Sequence, residues 1–157
     1  MQASHDTTLT TAVTFRIDGQ RYALPLERVR EIQKIVAFAE MPDESAMIVG
    51  MVDVRGEVLP VVDARLLLGL QPEPYTLETP MIFVTSTAGP VALIVDAVDT
   101  VVELSGDAAA ALPAAHALAS RMCGAHRVDG ELVFLLDADA LLAPANLPGG
   151  GQEASDE

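Results

Sequence analysis

Slid over itself by 74 residues, the chain matches itself without a gap. RGEVLPVVDARLLL (residues 55–68) falls on DGELVFLLDADALL (residues 129–142), so that Gly56 meets Gly130 and Glu57 meets Glu131. Asp63-Ala64 meets Asp137-Ala138, and Leu67-Leu68 meets Leu141-Leu142. Upstream, Gly50 falls on Gly124 and Val54 on Val128, while residues 13–32 show no convincing match to 80–102. A period this long excludes a solenoid, and two copies in 157 residues predict two similar small β modules packed together. Each unit reads as a hairpin and a buried strand, followed by an aspartate that caps a one-turn helix whose leucines close the end of the module. Gly69 and Pro144 stop the two helices.

The rest of the chain has the same texture. Val13, Phe15 and Ile17 alternate with Thr14, Arg16 and Asp18, the period-2 pattern of a half-buried strand. Asp18-Gly19 supplies a tight turn, and Tyr22 and Leu24 begin a return strand. Pro25 ends that strand and pre-sets a short helix in which Leu26, Val29 and Ile32 form one apolar stripe. Further strands are predicted over 47–54, 57–62, 81–85, 91–95, 97–104, 124–128 and 131–136, separated by Arg55-Gly56, Ala88-Gly89-Pro90 and Asp129-Gly130. Gln71–Thr79, with Pro72 and Pro74, reads as a connector, and 108–120, interrupted by Pro113, fits a short helix or a loop. The fold class expected is all-β with a few short helices. Residues 1–12 are expected to be flexible and 13–143 to form one domain, with a first barrel at about 13–75 and a second at about 76–143. Residues 144–157 read as a disordered acidic tail.

Charge narrows the partners. The net charge is −14, and a nucleic-acid binder or an anionic membrane surface demands a basic footprint instead. The imbalance is uneven: residues 1–75 carry 7 basic and 11 acidic residues, residues 76–157 only 2 and 12. The first half is therefore the expected docking side for a charged partner. The single cysteine, Cys123, fits a reducing compartment, and no secretion signal or apolar run long enough for a membrane span is evident. A cytoplasmic protein is the expectation.

The two copies differ most at their hairpin tips. Asp129-Gly130 suits the positive φ of a tight turn, but the first copy places Arg55 there, a residue with no local hydrogen bond to offer a turn. Arg55 is either a displayed guanidinium suited to a bidentate carboxylate contact, or half of an internal ion pair with Asp53 or a loop acid. Nothing in the sequence amounts to an active site. His5, His116, His126 and Cys123 lack metal-ligand spacing, and Asp137-Ala138-Asp139 is a helix cap and not a calcium loop. No phosphate cradle and no nucleophile elbow is present. No cofactor is expected.

Taken in order, a series of motifs resembles the CheW family of bacterial chemotaxis coupling proteins. It runs Tyr22-Ala23-Leu24-Pro25, Val29-Arg30-Glu31-Ile32, Pro42, Gly50, then Arg55-Gly56-Glu57-Val58-Leu59-Pro60-Val61-Val62-Asp63-Ala64-Arg65 and Leu68-Gly69-Leu70. Ala92-Leu93-Ile94-Val95-Asp96-Ala97-Val98 and the closing Leu136-Asp137 and Leu141-Leu142 complete it. The resemblance implies two SH3-like five-stranded β-barrels and a non-catalytic adaptor. Its implied partners are the cytoplasmic tip of a methyl-accepting chemoreceptor and the regulatory domain of a CheA-type histidine kinase. It implies a protein-binding site at Val29, Glu31, Gly50, Arg55 and Gly56, and recruitment to receptor arrays without membrane insertion. The sequence departs from the family where the usual Asp-Leu-Arg is Asp63-Ala64-Arg65, and in its acidic second half. Competing readings are a CheW-like adaptor for surface motility or cyclic-nucleotide control, and a β-barrel that binds a small molecule in a sealed apolar cavity.

Overall fold

The computed structural model describes residues 9–35, 38–40, 48–105, 109–110 and 119–141. The chain runs β1 (Leu9–Ile17), β2 (Gln20–Pro25), β3 (Val29–Lys34), β4 (Ala39–Glu40), β5 (Ile48–Val54), β6 (Glu57–Asp63) and helix α1 (Ala64–Leu67). It continues β7 (Pro80–Ser86), β8 (Gly89–Ile94), β9 (Ala97–Ser105), β10 (Ala109–Ala110), β11 (Met122–Val128), β12 (Glu131–Leu136) and α2 (Ala138–Leu141). The strands form two six-stranded sheets: sheet I in the order β3-β7-β8-β6-β5-β4, and sheet II in the order β10-β11-β12-β2-β1-β9. β4 and β10 are two-residue edge strands, which leaves five full strands in each sheet. The all-β, SH3-like class holds, although the hydrogen-bond ladders end at open edges and do not run round into closed barrels.

The strands do not divide at residue 75. Hairpin β1–β2 lies in sheet II with β9–β12, and hairpin β7–β8 lies in sheet I with β3–β6, so the two halves of the chain exchange their first hairpins. The exchange is made through two parallel pairs, β12 with β2 and β6 with β8. Parallel neighbours require a long crossover, which the remainder of each half supplies. The registers agree: Leu135 lies opposite Ala23, and Val61 lies opposite Ala92. Leu135 is 74 residues beyond Val61, whereas Ala92 is only 69 beyond Ala23. That five-residue slip is the reason the early match, Tyr22-Ala23-Leu24 on Val91-Ala92-Leu93, escapes an ungapped comparison.

The exchange places each hairpin between two cores. One face of both hairpins, carrying Phe15, Ile17, Tyr22 and Leu24 from sheet II and Ile82, Val84, Val91 and Leu93 from sheet I, forms the largest apolar cluster, between the sheets. The other face of β7–β8 packs Met81, Phe83, Ala92 and Ile94 on Val52, Leu59 and Val61 inside sheet I. Strands buried on both faces read as continuous apolar runs, as Met81–Val84 and Val91–Val95 do.

Local chemistry explains the punctuation. Asp18-Gly19, Arg55-Gly56 and Asp129-Gly130 all have positive φ at both residues, the geometry that joins strands in a tight hairpin. Asp63 Oδ1 accepts from the Arg65 N–H at 2.9 Å, and Asp137 Oδ1 accepts from the Asp139 and Ala140 N–H groups at 3.0 and 3.2 Å, the expected caps.

Two local expectations are corrected. Leu9–Ala12 belong to β1, opposite Val102–Ser105 of β9, because that ladder satisfies backbone a frayed end would leave to water. Leu26–Arg28 form a single 3-10 turn, and Val29–Lys34 then pair with β7 in place of the predicted helix. The stripe of Leu26, Val29 and Ile32 does not mark a buried helix face, since Leu26 and Ile32 are exposed. The expected tail at 144–157, residues 1–8 and most of the ambiguous 108–120 stretch lie outside the described residues.

Candidate protein-interaction site

Arg55 occupies the tip of the β5–β6 hairpin with φ 51°, a left-handed conformation that suits Asp, Asn or Gly better than Arg. The turn is held by Asp53, whose Oδ1 accepts from the Gly56 N–H at 2.9 Å. Asp53 is therefore engaged with backbone, and the Arg55 side chain crosses to β3, where Nη2 donates to Glu31 Oε2 at 2.5 Å. Both readings of Arg55 meet in one geometry: it is ion-paired, and its side chain is 69% exposed. The Arg55 hydrogen bond holds the Glu31 carboxyl below its ordinary range, with Gln33 and the Arg30 charge assisting against partial burial. One residue before Glu31 and two after Arg55, Arg30 Nη2 donates to Glu57 Oε1 at 3.2 Å. Side chains thus tie β3 to the β5–β6 hairpin across the open mouth of sheet I.

Of the five residues predicted for the site, Glu31, Arg55 and Gly56 come together at this mouth. Gly56 takes φ 88° with open space where a Cβ would stand, so its role is conformational. Val29 is half-buried at the start of β3 and packs on the core between the sheets. Gly50 is buried in β5, where a Cβ would collide with the Ala39 carbonyl oxygen and lie 2.6 Å from the Phe38 ring. Its small size lets β4 lie close against β5. Sequence reasoning missed Arg30 and Glu57, because their pairing joins strands that only the folded sheet brings together.

Two depressions open on the surface of the described residues. An open groove of about 430 Å³ runs between the sheets, with Ile32, Pro80, Ala97 and Val98 as its apolar lining and Lys34 and Glu78 at its rim. The second, about 380 Å³, is lined by Asp63, Arg65, Tyr75 and Asp96, and its polar groups answer one another. Arg65 holds Asp96 with two bonds of 3.0 and 2.9 Å, and the Tyr75 hydroxyl donates to Asp63 Oδ2 at 2.6 Å. Neither depression is the sealed apolar cavity that a small-molecule barrel requires. Partial burial and the Asp137 carboxylate push the Cys123 thiol up, away from nucleophilic character. Among the described residues, no group of three His, Cys, Asp or Glu side chains could hold a metal ion, and no helix is long and apolar enough to cross a membrane.

Comparison with known proteins places this geometry in context. Residues 11–145 match the family model of the CheW-like domain. The chain is 27% identical over 133 residues to a probable chemotaxis protein CheW of Rhizobium etli, covering 83% of this chain and 86% of that protein. It is 28% identical over 131 residues to the chemotaxis protein CheW of Rhizobium meliloti, covering 82% and 84%. The crystal structure of the scaffolding protein TtCheW from Thermoanaerobacter tengcongensis superposes with a TM-score of 0.77 at 22% identity, over 87% of this chain and 94% of that one.

Proposed function

Since the chain belongs to the CheW-like domain family, we propose that it is a non-catalytic adaptor of bacterial chemotaxis, coupling chemoreceptors to the regulatory domain of a CheA-type histidine kinase. The observation that carries this reading is the Arg55 tip. An arginine stands in a strained turn where the other copy has Asp129, 69% exposed and held within the chain only by a surface ion pair to Glu31, on the less acidic half of the chain. A residue kept against local preference in that way is better accounted for by a partner than by the fold. The groove between the sheets supports the second contact. A receptor tip is a helical hairpin, and its apolar stripe would lie on Ile32, Pro80 and Val98 while Arg55 sets register nearby. Val29 and Gly50 serve the site from beneath by placing β3 and β4. The adaptor would work in the cytoplasm, at receptor arrays on the inner face of the membrane.

Arg55→Asp tests this reading. It should abolish most co-sedimentation with membranes carrying receptor and kinase, while the thermal midpoint stays within a few degrees of the parent, as for exposed substitutions in general. Equal loss of fold and of binding would make Arg55 merely structural. Capture of partners from native lysate separates chemotaxis from another receptor–kinase pathway by the identity of the kinase recovered.

A further inference from the structure

Five of the described arginines form ion pairs with at least part of the side chain open to solvent, and these fall into two kinds. Arg28, Arg65 and Arg16 each close a two-pronged contact within the chain: Arg28 on Asp139 at 3.0 and 2.9 Å, Arg65 on Asp96 at 3.0 and 2.9 Å, and Arg16 on Glu131 at 2.6 and 3.0 Å. Arg30 and Arg55 do not. Each donates from Nη2 alone to one carboxylate oxygen, and their Nε and Nη1 hydrogens have no partner among the described residues. These two are also the more exposed, at 42% and 69% of the side chain against 32% for Arg28 and Arg16 and 13% for Arg65. They stand on two elements of one mouth, paired with Glu57 and Glu31.

Resting on the adaptor reading above, we infer that Arg30 and Arg55 together read two carboxylates of a protein partner. Glu57 and Glu31 are positioning residues that each hold one edge of a guanidinium and present the other. A guanidinium already bonded on one edge has lost most of its rotational freedom, so less is lost when the partner docks. The mouth itself is neutral, two arginines against two glutamates. A dianionic phosphate would meet Glu31 and Glu57 at once, whereas singly charged carboxylates matched in plane to the open forks meet less opposition. The complementary surface is thus a pair of acidic side chains spaced to meet the two open forks. This assigns Arg30 and Glu57 to recognition, and it makes Glu31 an organiser of the site more than a contact.

Titration of the full chain with the purified regulatory domain of the cognate kinase, and separately with the cytoplasmic fragment of a receptor, tests the inference. Arg30→Lys and Arg55→Lys keep the charge and remove the fork. Each should weaken binding to the acid-bearing partner about tenfold, the worth of a charge-assisted hydrogen bond, with the thermal midpoint unchanged. Glu57→Gln should weaken it about threefold, the share expected of lost preorganisation, and should add nothing to Arg30→Lys because it acts through Arg30. Lysine variants that bind like the parent, additive effects of Glu57→Gln and Arg30→Lys, or competition by inorganic phosphate would each overturn it. Failure of the parent chain to bind either partner would instead remove the adaptor reading, and this inference with it.

Discussion

The two sheets share one plan and close it with opposite electrostatics. The strand pairings set Val29 of β3 opposite Val84 and Val98 of β9 opposite Phe15, and both strands bulge at the next position. By that register Arg30 corresponds to Asp99, as Glu57 corresponds to Glu131. Sheet I therefore meets its own mouth with opposite charges, and Arg30–Glu57 and Arg55–Glu31 pair directly on the surface. Sheet II faces one acid with another, and two arginines from its central hairpin fill the gap. Arg16 bonds Asp99 at 2.9 Å and Glu131 at 2.6 Å, while Arg21 approaches Asp99 at 3.3 Å and reaches Thr14 and Thr100 at 3.1 and 3.2 Å. Arg21 is buried with 8% of its side chain exposed. The counterparts of Arg16 and Arg21 in sheet I are Thr85 and Pro90, which leave that interior to Met81, Phe83 and their apolar neighbours. Charge in sheet II is thus consumed in holding the sheet, whereas charge in sheet I stands at the surface.

The most forceful way to break the comparison is to remove the buried cation. Arg21→Met should destabilise the protein by about 3 kcal/mol, because the acids around it lose a desolvated partner. Arg30→Gln, at the matching mouth of sheet I, should cost under about 1 kcal/mol, the usual worth of an exposed pair. Adding Asp99→Asn to Arg21→Met should recover part of the loss by removing one of the two acids. Urea denaturation of the variants measures all of this, and equal costs for the Arg21 and Arg30 substitutions would erase the distinction between the sheets.

A second contrast lies at the bulges of β5 and β11, where Gly50 and Gly124 occupy equivalent places. A Cβ at Gly50 meets backbone, the Ala39 carbonyl, besides the Phe38 ring. The nearest atoms to a Cβ at Gly124 belong to the imidazole of His126, at 3.0 Å, a side chain and not backbone. Gly50→Ala should therefore cost about 2–3 kcal/mol and Gly124→Ala about 1 kcal/mol, within the range for overpacking. Thermal unfolding decides it, and the reverse order would show that β4 yields more readily than His126.

What was legible in the sequence was what local chemistry controls. Asp-Gly pairs mark turns and aspartates mark caps, because the groups that stabilise each lie within three residues of one another. Arg55 stands out for the same reason, as an exception inside a matched register. The exchange of hairpins is not legible, because the pairs of Leu135 with Ala23 and Val61 with Ala92 join distant residues with no local signal. The region after Pro25 carries two periods at once. Leu26, Val29 and Ile32 satisfy a helix, while Val29, Glu31 and Gln33 satisfy one face of a strand, and only pairing with β7 chooses between them. The partner of Arg55 was hidden likewise: Asp53 is nearer in sequence, but its carboxylate is taken by the Gly56 N–H, and Glu31 answers from another strand.

The smallest effect bears most directly on why Arg55 stands where it does. Arg55, Asp129 and Asp18 share nearly the same φ, 51°, 52° and 52°, so the backbone asks the same of all three. Aspartate tolerates that conformation through hydrogen bonds its short side chain makes nearby, and arginine does not. Arg55→Asn should then raise stability by about 0.5–1 kcal/mol, a shift of several degrees at most in the thermal midpoint. Asp129→Arg, the reciprocal change in sheet II, should lower it by a similar amount. The two together test strain with the fold as its own control, because each substitution writes one copy's turn into the other. If both variants melt with the parent, the left-handed turn accepts arginine freely, and the argument that Arg55 is held there for a partner loses its physical footing.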